Sequence, residues 1–405
     1  MPKEVFSFPE FEQRLKAALG KFNAPNLSKV WSQEMYSHLW EDFDEVRPLK
    51  TVAVADGTSM NVPFRTATVD VAWALAHIYD ITAKKLKGRV SGIDIEAGYR
   101  RTAYQTSALM HTLEFKVLRQ ALEDGVELGI RDGSLHFVLT SRRMEKTNDD
   151  VISWLKALND LTDRPAVGVS KGSDVTYVRT HRIAEKLRDF NYFAPFYRQN
   201  DRLAAWLRQR PSNTTAIFEA ELEYGYSDEV LFDKSERPGF SKPLALAPSI
   251  LTTAPDFGAS TWWITSARKW YLPEVLAALD SHYSLPPTVI TYWKPRGWDA
   301  TFRVDVPGSM LGMTMKAGDM KEDAWVEDDG AIAKLRFILA RLNGLPMTPT
   351  GLQFINEVDQ VVHTQSGANS LPYRIFIREE LRKRGFDVSA TRSGLRNFAI
   401  RGYER

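Results

Sequence analysis

The sequence predicts an α/β protein in which a mixed β-sheet is covered by helices. Its 405 residues, 43% of them hydrophobic and 26% charged, have the composition of a soluble globular protein. Apolar residues alternate in short segments between 51 and 79, as they do in strands. Further on, strand patterns alternate with helical ones up to residue 170, which is typical of a sheet packed against helices.

Several classes of protein are excluded by composition. The chain has no cysteine, so it has no disulfide, thiolate zinc site or cysteine nucleophile. No stretch approaches the ~18 apolar residues of a membrane span, and Met1 is not followed by the apolar region of a signal peptide. We therefore expect a cytoplasmic protein that does not use a membrane. The net charge of +2 means that any binding to nucleic acid must use local basic patches.

Residues 1–45 are predicted to be a helical N-terminal segment. Residues 8–21 and 27–42 have amphipathic patterns, and in the second Trp31, Met35 and Leu39 recur every four residues.

Residues 46–175 are predicted to form the core. A strand at 51–55 ends at Asp56-Gly57, which is a turn signal, and strands at 61–65 and 69–79 complete a meander. The later elements are a helix within 95–128, a strand at 134–140 opened by Asp132-Gly133, a helix at 149–161 and a strand at 166–170. The resulting order, β-β-β-α-β-α-β, is that of the RNase H-like fold.

The rest of the chain is less regular. Residues 176–290 are predicted to be a helical and irregular insertion, with helical sequence at 181–209 and a surface loop at 235–249. Residues 291–405 are predicted to complete the core domain. They contain a strand at 301–306 and helices at 329–342 and 371–384.

Acidic residues mark a candidate metal site. Asp56 and Asp132 each lie at an end of a predicted strand, and Glu114 lies in the helix between them. Three convergent carboxylates suit Mg²⁺ or Mn²⁺, and two such ions activate water and stabilise the leaving oxygen in phosphodiester hydrolysis. Lys171, after the fifth strand, could contact the phosphate. The ordinary alternatives are two Asp-Gly turns, a solvated glutamate and a strand-end lysine.

The same residues occur within a longer ordered pattern. It comprises Ala53-Val54-Ala55-Asp56-Gly57-Thr58, Leu113-Glu114, Arg131-Asp132-Gly133-Ser134-Leu135, Val167-Gly168-Val169-Ser170-Lys171, Phe302-Arg303-Val304-Asp305-Val306-Pro307 and Leu371-Pro372-Tyr373. In order and spacing this pattern resembles the NurA nuclease family, which has an RNase H-like fold.

The resemblance implies a Mn²⁺- or Mg²⁺-dependent DNase that acts on the ends of single- and double-stranded DNA. It also implies a homodimer that works with a HerA-type hexameric ATPase, in DNA-end processing or in defence against invading DNA. Asp56, Glu114 and Asp132 match the family's metal-binding acids, and Lys171 matches its strand-end lysine. Where the family places a histidine in the C-terminal helix, this sequence aligns Glu379, which would be a fourth metal ligand; His363 is a less favoured substitute.

Two other functions stay open. Gly168-Val169-Ser170-Lys171-Gly172 fits the G-x-S-x-G pattern of a serine hydrolase, although residues 173–178 look extended where that motif requires a helix. The chain could also be a non-catalytic RNase H-like module that binds DNA or a motor. It contains no phosphate-binding loop for ATP. The tryptophan-rich segment 261–298 could stack on bases or could lie in the core.

Overall fold

The computed structural model describes residues 8–19, 36–98, 103–136, 138–139, 148–173, 175, 177–178, 181–182, 185, 227–250, 273–320, 322–348, 351–366 and 370–388. The helices are α1 (Phe8–Leu19), α2 (Ala103–Glu123), α3 (Asn148–Thr162), α4 (Asp228–Phe232), α5 (Pro273–Tyr283), α6 (Asp329–Leu342), α7 (Gln353–Ser366) and α8 (Leu371–Lys383). The strands are β1 (Trp40–Asp42), β2 (Thr51–Pro63), β3 (Thr68–Asp80), β4 (Lys85–Gly98), β5 (Leu128–Asp132), β6 (Val138–Leu139), β7 (Ala166–Ser170), β8 (Gly239–Ser241), β9 (Leu244–Ala245), β10 (Ser249–Ile250), β11 (Thr288–Lys294), β12 (Phe302–Pro307), β13 (Ala324–Trp325), β14 (Met347–Thr348) and β15 (Gly351–Leu352).

A single mixed sheet of 11 strands organises the protein. Its order is β1-β8-β11-β12-β7-β5-β2-β3-β4, and β9 pairs with β11 while β13 pairs with β9. The strands β2, β5 and β7 run parallel, whereas β3 is antiparallel to both β2 and β4, and β12 is antiparallel to β7. Strands from distant parts of the chain therefore share one hydrogen-bonded sheet, and β4 is its edge.

Helices cover both faces of this sheet, and the strand alternation decides which side chains meet which helices. In β2, Ala53 and Ala55 pack with α2, α3 and α5 in one buried cluster. Val52 and Val54 point the other way and pack with α6 and α7. Because successive strand residues alternate between faces, Asp56 lies on the face that α7 covers.

Several predicted elements are confirmed. The strand at 166–170 is β7, with the same bounds, and the helix at 329–342 is α6. The helices at 149–161 and 371–384 correspond to α3 and α8, and the strand at 301–306 corresponds to β12, with every end within one residue of the prediction. No helix in the described part of the chain is long and apolar enough to cross a membrane.

Other element predictions are wrong, and the reason is pairing between strands. Asp56-Gly57 is not a turn, because β2 pairs with β3 without a break from Thr51 to Pro63. The third strand of the meander is β4, whose last four residues, 95–98, fall in the segment predicted to be helical. Asp132 ends β5 instead of opening a strand at 134–140, since β5 is the strand that fits between β2 and β7.

Two further regions differ from the prediction. The expected loop at 235–249 contains strands β8, β9 and the start of β10, and its Phe240, Leu244 and Ala245 are buried. In the second predicted N-terminal helix, residues 37–39 form a short 3₁₀ turn and 40–42 form β1. Trp31 and Met35 lie outside the described residues, as do 186–209 of the predicted helical segment.

Candidate metal centre

Three carboxylates from three elements converge on the sheet face covered by α7. Asp56 lies within β2, Asp132 ends β5 and Asp359 lies in α7, and one ligand oxygen from each is within 4.8 Å of the others. Asp56 and Asp132 are neighbours because β2 and β5 are parallel with Ala55 beside Arg131. Helix α7 packs across β2 and brings Asp359 to them.

Asp359 was not predicted from the sequence, although a signal exists. The buried side chains of α7 include Ile355, Val358 and Val362, at positions i, i+3 and i+7 of an apolar stripe. Asp359 occupies the i+4 position of that stripe, where a helix that packs on a core normally has an apolar residue. A carboxylate there is brought against the sheet.

The three acids form a site with excess negative charge. Burial, followed by the charges of Glu114 and Asp132, raises the pKa of Asp56 to about 7, against the lowering effect of the Gly57 N–H, which donates to Asp56 Oδ1 at 2.7 Å. Burial also raises the pKa of Asp132, with Lys171 opposing it and Asp359 adding to it. A cation placed among these oxygens would remove that penalty.

Glu114 borders the site but is already neutralised by protein groups. Its side chain is buried, and Oε2 accepts from Arg131 Nη2 at 2.6 Å and Nε at 2.8 Å, with His111 Nδ1 at 3.2 Å. Burial would raise its pKa, but Arg131 and His111 outweigh burial and lower that pKa to about 2. Its Oε1 fills space next to Gly57, where a Cβ would lie 2.6 Å from that oxygen.

Lys171 lies at the rim of the acids, as the sequence led us to expect. Its Nζ is 3.8 Å from Asp132 Oδ2 and donates to Asn356 Oδ1 at 3.0 Å. The following loop is held by Glu229, whose two oxygens accept from the N–H groups of Gly172 at 2.9 Å and Ser173 at 2.6 Å. The lysine is thus placed by both α7 and α4.

Asp305 supports the turn after Asp132. Its Oδ2 accepts from Ser134 Oγ at 2.6 Å and from the Leu135 N–H at 2.9 Å. Arg303 Nε donates to its other oxygen at 2.8 Å, so the buried carboxylate has a buried cationic partner. The sequence indicated this strand as part of the pattern, but it did not predict that two of its side chains brace the site.

Glu379 is not brought to the acids. Helix α8 packs Ile377 and Leu381 on Met60 and Val62 of β2, and Glu379 lies on the opposite, exposed side of the helix. Glu379 is therefore not the fourth acid of the site that the sequence predicts. Among the described residues, the acid that joins Asp56 and Asp132 is Asp359 of α7. His363 Nε2 lies 2.9 Å from Asp359 Oδ1 with its ring 63% exposed.

The features behind the alternative functions take ordinary structural roles. Ser170 is the last residue of β7, and residues 171–173 are not helical, so the strand does not lead straight into a helix as in a nucleophile elbow. Trp293 is fully buried and donates to Asn343 Oδ1 at 3.0 Å. Trp262, Trp263 and Trp270 lie outside the described residues.

The fold and the site together define an α/β protein with a carboxylate centre suited to a divalent cation. The NurA domain model matches residues 51–319, and the chain belongs to that family. The crystal structure of the NurA nuclease from Sulfolobus solfataricus is 15% identical, with 94% of this chain and 98% of that chain covered and a TM-score of 0.50. A NurA crystal structure bound to dAMP and manganese is 13% identical, with coverages of 90% and 94% and a TM-score of 0.41. No curated protein matches the sequence.

Proposed function

We propose that this protein is a divalent-metal-dependent deoxyribonuclease that hydrolyses phosphodiester bonds at the ends of single- and double-stranded DNA. The observation that carries the proposal is the convergence of Asp56, Asp132 and Asp359 within 4.8 Å, with Lys171 beside them, in a chain of the NurA domain family. Hard oxygen donors of this kind suit Mg²⁺ or Mn²⁺.

Each residue has a defined part in this proposal. Asp56, Asp132 and Asp359 would hold the ion, and Glu114 would fix Arg131 and His111 beside the site. A divalent ion bound there would supply Lewis acidity and would lower the pKa of the attacking water. Lys171 holds a non-bridging phosphate oxygen, and Asn356 and Glu229 keep that lysine in place.

The arrangement of strands supports a finer fold assignment. The segment β4-β3-β2-β5-β7, in which β3 alone is antiparallel to its neighbours, has the strand order of the RNase H-like fold. In that fold acids on the central strands face one helix-covered side, which is where Asp56 and Asp132 lie. We extend the proposal to this fold class on that basis.

The family resemblance supports further proposals about assembly. The protein would form a homodimer and act in the cytoplasm with a HerA-type hexameric ATPase, in DNA-end processing or in defence against invading DNA. Light scattering tests the dimer. Digestion of long duplex DNA with and without such an ATPase and ATP tests the partnership.

A cleavage assay decides the main proposal. Linear single- and double-stranded DNA should be degraded with Mn²⁺ or Mg²⁺ and should remain intact with EDTA. Ser170→Ala should cleave like the wild type. DNA binding without cleavage under all metal conditions would favour a non-catalytic module, and a Ser170-dependent activity that EDTA leaves unchanged would favour a serine hydrolase.

A further inference from the structure

A strip of cations follows the free edge of the sheet. Lys84, Lys85, Lys87 and Arg89 place four positive charges within six residues at the start of β4, and all four side chains are exposed. No hydrogen bond or ion pair joins any of these side chains to another described residue. In a chain whose net charge is only +2, this strip, which we call the basic edge, is a strong local concentration of charge.

The basic edge lies near the three acids and partly on their side of the sheet. Asp56 pairs with Leu75, and Leu75 pairs with Ser91, so Ser91 is two strands, or about 10 Å, from Asp56. Arg89 lies two residues before Ser91 in β4, about 12 Å from Asp56. It pairs with His77, whose side chain points to the face covered by α7. At a rise of about 3.4 Å per nucleotide, that separation corresponds to three or four nucleotides.

The first residue of the basic edge, Lys84, has a strained backbone conformation. Lys84 has φ of +50°, a conformation that costs a residue with a side chain roughly 1 kcal/mol and that glycine adopts freely. It is the one residue other than glycine with positive φ among those described. A lysine at a position that favours glycine indicates that the side chain has a use.

The acids of the same region form no ion pair with these four cations in the described part of the chain. Asp80, which pairs with Lys85, accepts from the Ala83 N–H at 2.8 Å and so caps the turn. Glu357 of α7 accepts from Tyr79 Oη at 2.9 Å and from Gln353 Nε2 at 2.7 Å. Asp94 and Glu96 lie further along β4, on the face that α2 covers.

We propose that the basic edge binds the phosphates of the substrate strand as it leaves the candidate metal centre. The proposal rests on the proposed nuclease function and adds the path of the DNA across β3 and β4. Another explanation for lysines on an edge strand is protection against pairing with other strands. The two explanations differ in what a negative charge would do, because glutamate also protects an edge but repels phosphate.

The test compares two charge reversals of equal size. Lys87→Glu with Arg89→Glu changes the basic edge, and Lys116→Glu with Lys156→Glu changes exposed lysines of α2 and α3 on the other face. Affinity for a 20-nucleotide single strand is measured by fluorescence anisotropy in EDTA between 50 and 200 mM salt. The edge variant should bind about tenfold more weakly or worse, with a salt slope shallower by at least about 1.4, since each lost contact contributes about 0.7. The control should stay within about twofold.

Two further measurements keep the outcomes distinct. Lys84→Gly should weaken DNA binding without lowering the melting temperature, because it removes a charge and relieves the strain together. Hydrolysis of bis(p-nitrophenyl) phosphate with Mn²⁺, which reports the centre alone, should be equal in wild type and edge variant, whereas KM for DNA should rise in the edge variant. Lys87→Gln with Arg89→Gln provides a neutral version for the same assays.

Each result points to one conclusion. If the edge and control variants bind DNA equally well while the wild type cleaves it, the inference is overturned. The lysines of the basic edge would then serve to keep β4 from pairing with other β-strands. If the wild type hydrolyses neither DNA nor the small diester, the proposed function fails, and the anisotropy comparison still decides whether the edge binds DNA.

Discussion

Two buried carboxylates in this protein influence each other by charge, and their pKa values shift in opposite directions. Asp56 is 8% exposed and Glu114 is 2% exposed. The groups around each carboxylate decide whether its pKa is raised or lowered. Burial, and then the charges of Glu114 and Asp132, raise the pKa of Asp56 to about 7. Burial would also raise the pKa of Glu114, but Arg131 and His111 outweigh it and lower that pKa to about 2. Burial alone therefore does not decide the charge of a carboxylate; a protein cation beside it does.

The comparison separates a structural acid from a binding acid. Asp305 resembles Glu114, because Arg303 neutralises it within the buried interior. The group formed by Asp56, Asp132 and Asp359 has two basic side chains at its rim. Lys171 lies 3.8 Å from Asp132, and the exposed His363 lies 2.9 Å from Asp359. Neither is a buried arginine like those beside Glu114 and Asp305, and three convergent carboxylates of this kind are suited to an external ion.

The largest expected effect is the loss of DNA cleavage when one carboxylate of the candidate metal centre is replaced. Asp359→Asn should lower the cleavage rate with Mn²⁺ on the order of 10³-fold, comparable to the loss of a charge-stabilising group in other enzymes, as should Asp56→Asn and Asp132→Asn. Glu379→Gln is the matched control in the neighbouring helix and should cleave like the wild type. Normal cleavage by Asp359→Asn would remove this residue from the site.

The second effect is a loss of stability when Glu114 loses its buried cationic partner. Arg131→Met leaves Glu114 buried without its main cation and should lower the free energy of unfolding by about 3–5 kcal/mol. Adding Glu114→Gln should recover a large part of that loss, although Arg131 also donates to the Ser134 carbonyl and lies over the Phe115 ring. Urea unfolding of the four proteins in the cycle measures the coupling, and additive losses would show that the pair is not the cause.

The third effect is a pH dependence of the metal-free protein. The pKa of Asp56 rises from 3.8 to about 7 on folding, so between these values the folded state holds more protons than the unfolded state. Stability is therefore fully present below about pH 4 and is lost as pH rises through 7, by at most about 4 kcal/mol.

Asp56→Asn tests that effect. In EDTA at pH 8 the variant should be more stable than the wild type, and at pH 4 the two should converge. Mn²⁺ should stabilise the wild type much more than the variant. A variant less stable than the wild type at both pH values would mean that Asp56 has a structural role like that of Glu114.

The smallest effect concerns the position of Lys171. Asn356→Leu removes the oxygen that accepts from Lys171 Nζ and should lower kcat by about threefold to tenfold. Asn356→Asp keeps an acceptor oxygen and should retain more activity than Asn356→Leu. Equal activity in the wild type and in Asn356→Leu would show that Lys171 needs no support from α7.

Part of the site was predictable because it depends on local patterns. Asp56, Asp132 and Lys171 follow short apolar segments that form strands, and neighbouring strands of a sheet bring such residues together. The helix between them also placed Glu114 near the sheet. The position of Asp359 depends on α7 packing on β2, roughly 300 residues earlier in the chain, and no local pattern predicts that contact. The family resemblance points instead to Glu379, which aligns with a histidine of the next helix.

The sequence by itself determined the class of fold, and it indicated Asp56, Asp132 and Lys171 as candidates because each follows a short apolar segment, a pattern that acts over a few residues. The tertiary structure decided which carboxylates are neutralised and which are left to bind. Arg131 and His111 reach Glu114, and Arg303 reaches Asp305, only when strands and helices are packed together. Asp56, Asp132 and Asp359 come from β2, β5 and α7, and only the packing of these three elements brings their carboxylates within reach of one ion.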